Sequence, residues 1–343
     1  MARIPCRLLA AFAFAGVAGL SGGATAQEVQ LRYNRWLPAT HDIDNKVFRP
    51  WFEEIAKATG GRVKIEFTTS SLGPLPRQYE LATSGVADVV FGSESLTPGR
   101  FPLAEILELP FLGDSAEAVS VAYWRTYKAH FEKAGPYSGV HLLALSGLAP
   151  YYVHTVKKPV EKIEDLAGLK LRAAGQLLND TVKALGAVPV SAAVTELHDL
   201  FSKGIVDGGL SNDDQIRSFN LAKFIGARTV VPGGISNYST FVAVNARKWE
   251  AISAADRAAI ERMAGENVAR SLGRIIDASA KLGVEQMTAA GAKTIQADAA
   301  FTAALKAKLA FLEERWIAKA KEKGVDGAAA LKLLRDEAAA YKP

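Results

Sequence analysis

Arg172 stands near the end of the run "LAGLKLRAAG", Leu166 to Gly175, where nothing about ending a strand calls for an arginine. Leu169 and Leu171 alternate as in a half-buried strand. Ala173, Ala174 and Gly175 then leave space beside the arginine. A guanidinium offers two parallel N–H donors that match a carboxylate, and a lysine does not reproduce that fork. Two readings fit these residues alone: an anion site, or a surface ion pair with Glu164 or Asp165.

Other residues that could do chemistry cluster after apolar runs. Trp36, Pro38 and His41 follow the first of these, where open α/β sheets place ligand loops. His41 suits donation to a carboxylate or hydroxyl, and equally the capping of its own helix. Ser95 follows a later run together with Ser93 and Glu94, and Glu94 would repel an anion unless it accepts from a ligand hydroxyl. Ser211, Asn212 and Asp213 come after "VDG", and Asn237 and Tyr238 after "PGG". Tyr151 and Tyr152 open "YYVHT". For each tyrosine, packing in the core is an equal alternative to stacking on a ligand ring.

Several chemistries have no motif here. The chain has no G-x-G-x-x-G after a strand, no Walker A loop and no G-x-S-x-G elbow. Its five histidines, His41, His130, His141, His154 and His198, include no H-E-x-x-H and no pair four residues apart. Neither a cofactor nor a metal is expected. The carboxylate pairs Asp213–Asp214 and Glu53–Glu54 read as solvated faces or caps.

The elements that must position these residues follow from periodicity. Val29 to Tyr33 is a predicted strand, a helix runs from Asp44 to the stop "TGG" at Thr59–Gly61, and "RVKIEFTT" is a second strand. A further helix and a strand over Ala87–Phe91 complete a β-α-β-α-β order, which argues a mostly parallel sheet covered by helices. The pattern restarts near Ala144–Pro150, with strands at "YYVHT", "LKLRAAG" and "AVPVSA" and helices between them. "RTVVPGGISNYSTFVAVN" holds two β-type runs split by a glycine loop. One helix of over thirty residues is predicted from the Ser253–Asp256 cap pair to Gly291, long enough to reach across two domains. The C-terminal "KAKEKGVDGAAALKLLRDEAAAYK" reads as a solvated helical face.

With 343 residues, 49% hydrophobic and 22% charged, the chain is expected to fold as two soluble domains. Residues 1–26 have the form of a signal peptide: Arg3 and Arg7, an apolar run from Leu8 to Leu20, and Ala24-Thr25-Ala26 as the cleavage site. Cleavage near Ala26 would remove Cys6, leaving no thiol for disulfides, thiolate metal sites or nucleophilic catalysis, which suits the periplasm of a Gram-negative bacterium. Without Arg3 and Arg7 the net charge falls from +5 to +3, with no basic block to bind nucleic acid.

Several motifs in register carry a family likeness. "TGGRVKIEF…SSLGPLPRQYELATSGVADVVFGSESLTPGRFPLAEILELPFL" resembles the N-terminal half of the substrate-binding proteins of tripartite ATP-independent periplasmic (TRAP) transporters, DctP type. "EDLAGLKLRAAG" resembles that family's "DLKGLKIRVPG", and "GAVPVSAAVTELHDLFSKGIVDGGLSN" its "GA-P-----E-Y-AL--GVVDG". The resemblance implies an α/β, two-domain periplasmic binding protein with a ligand cleft, interdomain crossovers and a long helix spanning both domains. On that plan residues 27–149 and about 238–277 form domain I, and 150–237 and about 278–343 domain II.

The resemblance also implies capture of a small organic carboxylate, hinge closure and delivery to small and large membrane subunits, without chemical turnover. Arg172 stands where the family's arginine pairs with the ligand carboxylate. Asn212 lies one place later than the family's polar amide. Tyr152 stands where some sialic-acid-type members present a second arginine, which points away from sialic acid and towards a ligand with an apolar or aromatic portion, within a class of aromatic or hydroxy/keto acids. The alternatives are a secreted hydrolase with dispersed Ser, His and Asp, and a receptor that presents its ligand to a membrane signalling partner.

Overall fold

The computed structural model describes residues 28–97 and 99–342; the signal-peptide and Cys6 expectations lie outside them. The chain first supplies β1 (Val29–Asn34), α1 (Arg49–Ala58), β2 (Val63–Phe67), α2 (Gln78–Ser84), β3 (Val89–Gly92), α3 (Ala116–Thr126) and β4 (Val140–Gly147). Next come β5 (Tyr152–Thr155), β6 (Lys170–Ala173), α4 (Gln176–Ala184), β7 (Val188–Ser191), α5 (Leu197–Ser202), β8 (Gly208–Ser211), α6 (Asp213–Ser218), β9 (Ala227–Val230) and β10 (Ser239–Asn245). The remainder is α7 (Ala246–Glu250), α8 (Ala254–Met263), α9 (Glu266–Ala289), β11 (Lys293–Gln296), α10 (Ala299–Glu322) and α11 (Gly327–Ala340).

These strands form two sheets, each the centre of a lobe. One is five-stranded in the order β2-β1-β3-β10-β4, the other six-stranded in the order β11-β9-β5-β8-β6-β7. The β1–β2 and β1–β3 pairs are parallel, as the β-α-β order requires, but β10 enters between β3 and β4 antiparallel to both. Helices cover both faces of the first sheet, so strands such as β3 and β10 are buried along their whole length. The chain passes between the lobes at β4–β5 and at β9–β10, and these two connections run side by side. Tyr151 N–H donates to Ser236 O at 2.8 Å and Ile235 N–H to Tyr151 O at 2.9 Å.

The long helix predicted from Ser253 is two helices. Ser253 caps α8 as expected, accepting from Asp256 N–H at 3.1 Å. The chain then breaks at Gly265, with φ 63° and ψ −126°, where its N–H donates to Leu143 O at 2.7 Å. A Cβ at Gly265 would lie 2.8 Å from the Trp124 ring, so the sheet and that indole occupy the space a continuous helix would need. The spanning role falls to α9, which packs on α3 and β4 of the first lobe and on α6 of the second.

The C-terminal segment is also more than a solvated face. Ala320, Val325, Leu331 and Leu334 are buried, and α11 lies along α3, on the first lobe's side. No helix among the described residues is long and apolar enough to cross a membrane.

Candidate functional site

Arg172 leaves the surface entirely. It sits on β6 at 1% exposure, so the ion pair with Glu164 or Asp165 does not form. Asp165 instead accepts from the Glu161 and Lys162 amides and pairs with Lys158 at 3.4 Å. Arg172 Nε donates to Ala192 O at 2.9 Å, while Nη1 is buried with no hydrogen-bond partner. Burial opposes its charge, offset only in part by Tyr151, Tyr238 and Glu196. Guanidinium holds its proton regardless, so this is a buried cation that still has a donor to give.

The guanidinium faces a pocket between the lobes, with about 570 Å³ of space free of atoms, its mouth included. Tyr151 and Tyr238, one from each connection between the lobes, build one wall as parallel rings, 6.2 Å between centroids and 5° between planes. Trp36 and Phe91, stacked at 6.0 Å and 11°, face the same space from the first lobe. The Trp36 indole is fixed by donating to Phe91 O at 2.7 Å. Leu37, Ile43, Leu75, Leu148 and Val194 make most of the rest apolar.

His41 lines this pocket, and its ring also bonds the start of its own helix. Its Nδ1 accepts from Ile43 N–H at 3.3 Å. Burial lowers its pKa below the usual 6.5, Asp214 and Asp42 act the other way, and Arg217 acts with burial. The imidazole is therefore neutral at pH 7. Across the same entrance Arg217 of α6 reaches Asp42 of the first lobe at 3.0 Å.

The structure brings Arg172, Tyr238, His41, Trp36 and Tyr151 together and places the remaining candidates elsewhere. Asn212 caps α6, accepting from Gln215 N–H at 2.8 Å. Ser211 lies 3.1 Å from His154 Nδ1. Asn237 bridges the two connections: its Oδ1 accepts from Leu148 N–H at 2.8 Å and its Nδ2 donates to Leu148 O at 2.7 Å. Ser95 lies 3.3 Å from Ser239 Oγ and faces a neighbouring hollow with Glu94 and Glu108.

Other expectations change with the geometry. Glu94 turns away from the pocket and accepts from Tyr137 at 2.7 Å. Tyr152 is covered by the Arg228 guanidinium at 4.8 Å, so Tyr151 is the residue of that pair that meets the pocket. Ala173 and Ala174 are packed in the core rather than lining free space. Asp213 and Asp214 are both buried rather than solvated. Asp213 binds Arg228 through both oxygens at 2.6 and 2.7 Å and lies 2.9 Å from His154 Nε2. Asp214 faces the pocket, as does Ser93 of the Ser93–Ser95 run; Gln215, Thr240 and Phe219 line it too, and neither they nor Asp214 were singled out as ligand contacts from the sequence. Among the described residues no three His, Cys, Asp or Glu side chains gather as a metal site.

The chain is 33% identical to a TRAP periplasmic solute-binding protein from Bordetella bronchiseptica, solved with (R)- and (S)-mandelate bound. That match covers 91% of this chain and 99% of that one, with a TM-score of 0.86. A TRAP solute-binding protein from Rhodoferax ferrireducens, solved with copurified benzoate, is 26% identical over 91% of this chain and 98% of that one, TM-score 0.82. A curated relative, the outer membrane transporter protein TsaT of Comamonas testosteroni, is 30% identical over 95% of this chain and 96% of its own. The family model for DctP, bacterial extracellular solute-binding protein family 7, matches residues 34–319. With two lobes, a buried arginine between them and this match over most of its length, the chain belongs to the DctP family of TRAP solute-binding proteins.

Proposed function

We propose that this protein is the periplasmic receptor of a TRAP transporter for an aromatic monocarboxylate. It would be released by cleavage near Ala26 and deliver its ligand to the small and large membrane subunits. The observation that carries the reading is the Arg172 fork, buried with Nη1 unpartnered beside a pocket walled by aromatic rings. Relatives at 26–33% identity were solved with mandelate, a hydroxyphenylacetate, a hydroxybenzoate or benzoate, all aromatic monocarboxylates.

On this reading Arg172 grips the carboxylate while Trp36, Tyr151, Tyr238 and Phe91 enclose the ring. The two sheets head lobes that hinge at Leu148–Pro150 and Gly233–Asn237, with α9 as the third crossing. Without an anion, closure buries an uncompensated charge at a cost of ~3–5 kcal/mol. Closure is thereby conditional on the ligand, as a population shift between open and closed states.

The test is a thermal-shift screen of carboxylic acids on mature chain refolded to remove bound ligand, wild type beside Arg172→Ala. Aromatic monocarboxylates should raise the wild-type melting temperature with concentration and leave the mutant unchanged. An equal response from the mutant overturns the assignment of Arg172, and no response from either overturns the ligand class.

A further inference from the structure

The pocket has charged and polar groups besides Arg172. Asp214, on α6 of the second lobe, is 7% exposed; its Oδ1 accepts from Ser218 Oγ at 3.1 Å, and its side chain faces the pocket. A carboxylate there accepts hydrogen bonds and cannot donate them. His41 meets the same pocket from the first lobe. Because its Nδ1 accepts from Ile43 N–H, the neutral ring carries its proton on Nε2, which is then a donor. Asp214 is close enough to His41 to act on its titration. An acceptor from one lobe and a donor from the other thus share one pocket whose walls are otherwise mostly apolar.

A hydroxyl is the group that satisfies both, since it donates once and accepts at the same time. An ammonium would satisfy Asp214 but offer His41 no acceptor. A second carboxylate would suit His41 but meet Asp214 as a like charge. An unhydroxylated ring would leave Asp214 with the Ser218 hydroxyl on Oδ1 and no ligand donor for Oδ2 when the cleft closes, which is costly for a desolvated carboxylate oxygen. Gln215, the next residue on α6, donates to Tyr151 Oη at 2.7 Å and so ties α6 to the tyrosine wall beside Arg172.

Resting on the receptor reading above, we propose that Asp214 and His41 form a hydroxyl-reading subsite. The preferred ligand is then an aromatic monocarboxylate that carries a hydroxyl as well as its carboxyl group. Arg172 holds the carboxylate, and the hydroxyl donates to Asp214 Oδ2 while accepting from His41 Nε2–H. Asp214 also sets the ligand's direction, because its charge repels the carboxylate.

Isothermal titration calorimetry on the refolded mature chain tests this with benzoate, the three hydroxybenzoates, phenylacetate, mandelate, phthalate and 3-aminobenzoate. At least one hydroxy acid should bind 10-fold or more tightly than its unhydroxylated parent, in the manner of sites built to pair a substrate hydroxyl. Phthalate should bind more weakly than benzoate. In Asp214→Leu the preference for a hydroxy acid over its unhydroxylated parent should shrink to within about twofold. Should Asp214→Leu fail to refold, Asp214→Asn keeps the shape, and its preference should fall at least threefold. If benzoate equals every hydroxy acid while Arg172→Ala abolishes binding of all of them, the subsite is overturned and the receptor reading stands. A preference unchanged in a folded Asp214 variant overturns it equally. If none of the acids binds wild type, the subsite and the aromatic-acid reading both fall.

Discussion

Arg172 Nε and the Ala192 carbonyl oxygen are joined at 2.9 Å, which pins the guanidinium by one edge and leaves Nη1 for the pocket. This anchor makes the arginine a placed fork rather than a mobile charge. Arg172→Lys removes both the anchor and the parallel donors while keeping the charge. We expect affinity for aromatic carboxylates to fall on the order of 100-fold, within the range for truncated buried charge pairs. Calorimetry reads it; affinity within about threefold of wild type would show that charge alone suffices.

Gly175 governs how closely the lobes meet. Its φ is +83°, and a Cβ there would lie 2.9 Å from the Ser95 carbonyl oxygen of the opposite lobe. Gly175→Ala should therefore hinder closure and lower affinity roughly 10-fold, with part of the effect from strain of about 1–3 kcal/mol at φ 83°, ψ 166°, a region essentially reserved for glycine. Small-angle scattering should show less ligand-induced compaction than in wild type, and identical compaction refutes the contact.

Asn237 is a brace between the lobe connections. Its side chain accepts from the Leu148 and Tyr238 amides, at 2.8 and 2.6 Å, and donates to Leu148 O at 2.7 Å. Asn237→Ala leaves these backbone groups without that partner and should cost about 1–3 kcal/mol in urea unfolding. Denaturation unchanged within error would remove this role.

Stability should fall as pH rises through neutrality. Burial pushes the Glu108 carboxyl up to about 8; a bond from Ser95 acts the other way, the charges of Glu105 and Glu94 add to the rise, and Lys319 opposes it. Burial likewise takes Glu94 to about 7, against hydrogen bonds headed by that from Tyr137. The folded chain thus keeps protons that the unfolded chain releases above about 4.5. Their contribution is complete below that pH and is lost as pH climbs through about 7 and 8. Glu108→Gln, which carries no proton to lose, should gain on wild type from pH 5 to pH 9 by up to ~4 kcal/mol. Parallel curves for the two proteins would show that Glu108 does not titrate in this window.

Much of the fold was legible because its signals are local. Alternating leucines announce β6, and the glycines after α1 and α4 stop those helices where chain geometry requires it. Strand β4 escaped notice because α3 and α9 both pack on it, which erases the period-two pattern. The break at Gly265 was hidden for a different reason: a lone glycine is tolerated in a helix, and what stops this one is Trp124 and Leu143, far away in sequence.

The pocket followed the same rule. Arg172, His41 and Trp36 stood out by residue type and by following apolar runs, and they share one space. Ser95, Ser211, Asn212 and Asn237 also followed such runs, yet position along the chain does not fix which way a side chain turns. Asp214 was misread because adjacent carboxylates at a helix start usually meet water, and only the facing lobe encloses this one.

Strand β10 has one more consequence, for the order in which the molecule is assembled. It fills the gap between β3 and β4, yet it leaves the ribosome after β5 to β9 of the other sheet. Until it arrives, β3 and β4 expose unpaired edges, the kind of surface on which nascent chains stick to one another. The first sheet cannot close before five of the six strands of the second have been synthesised. A chain built this way stays threadable until late and most needs a chaperone just before its last third emerges.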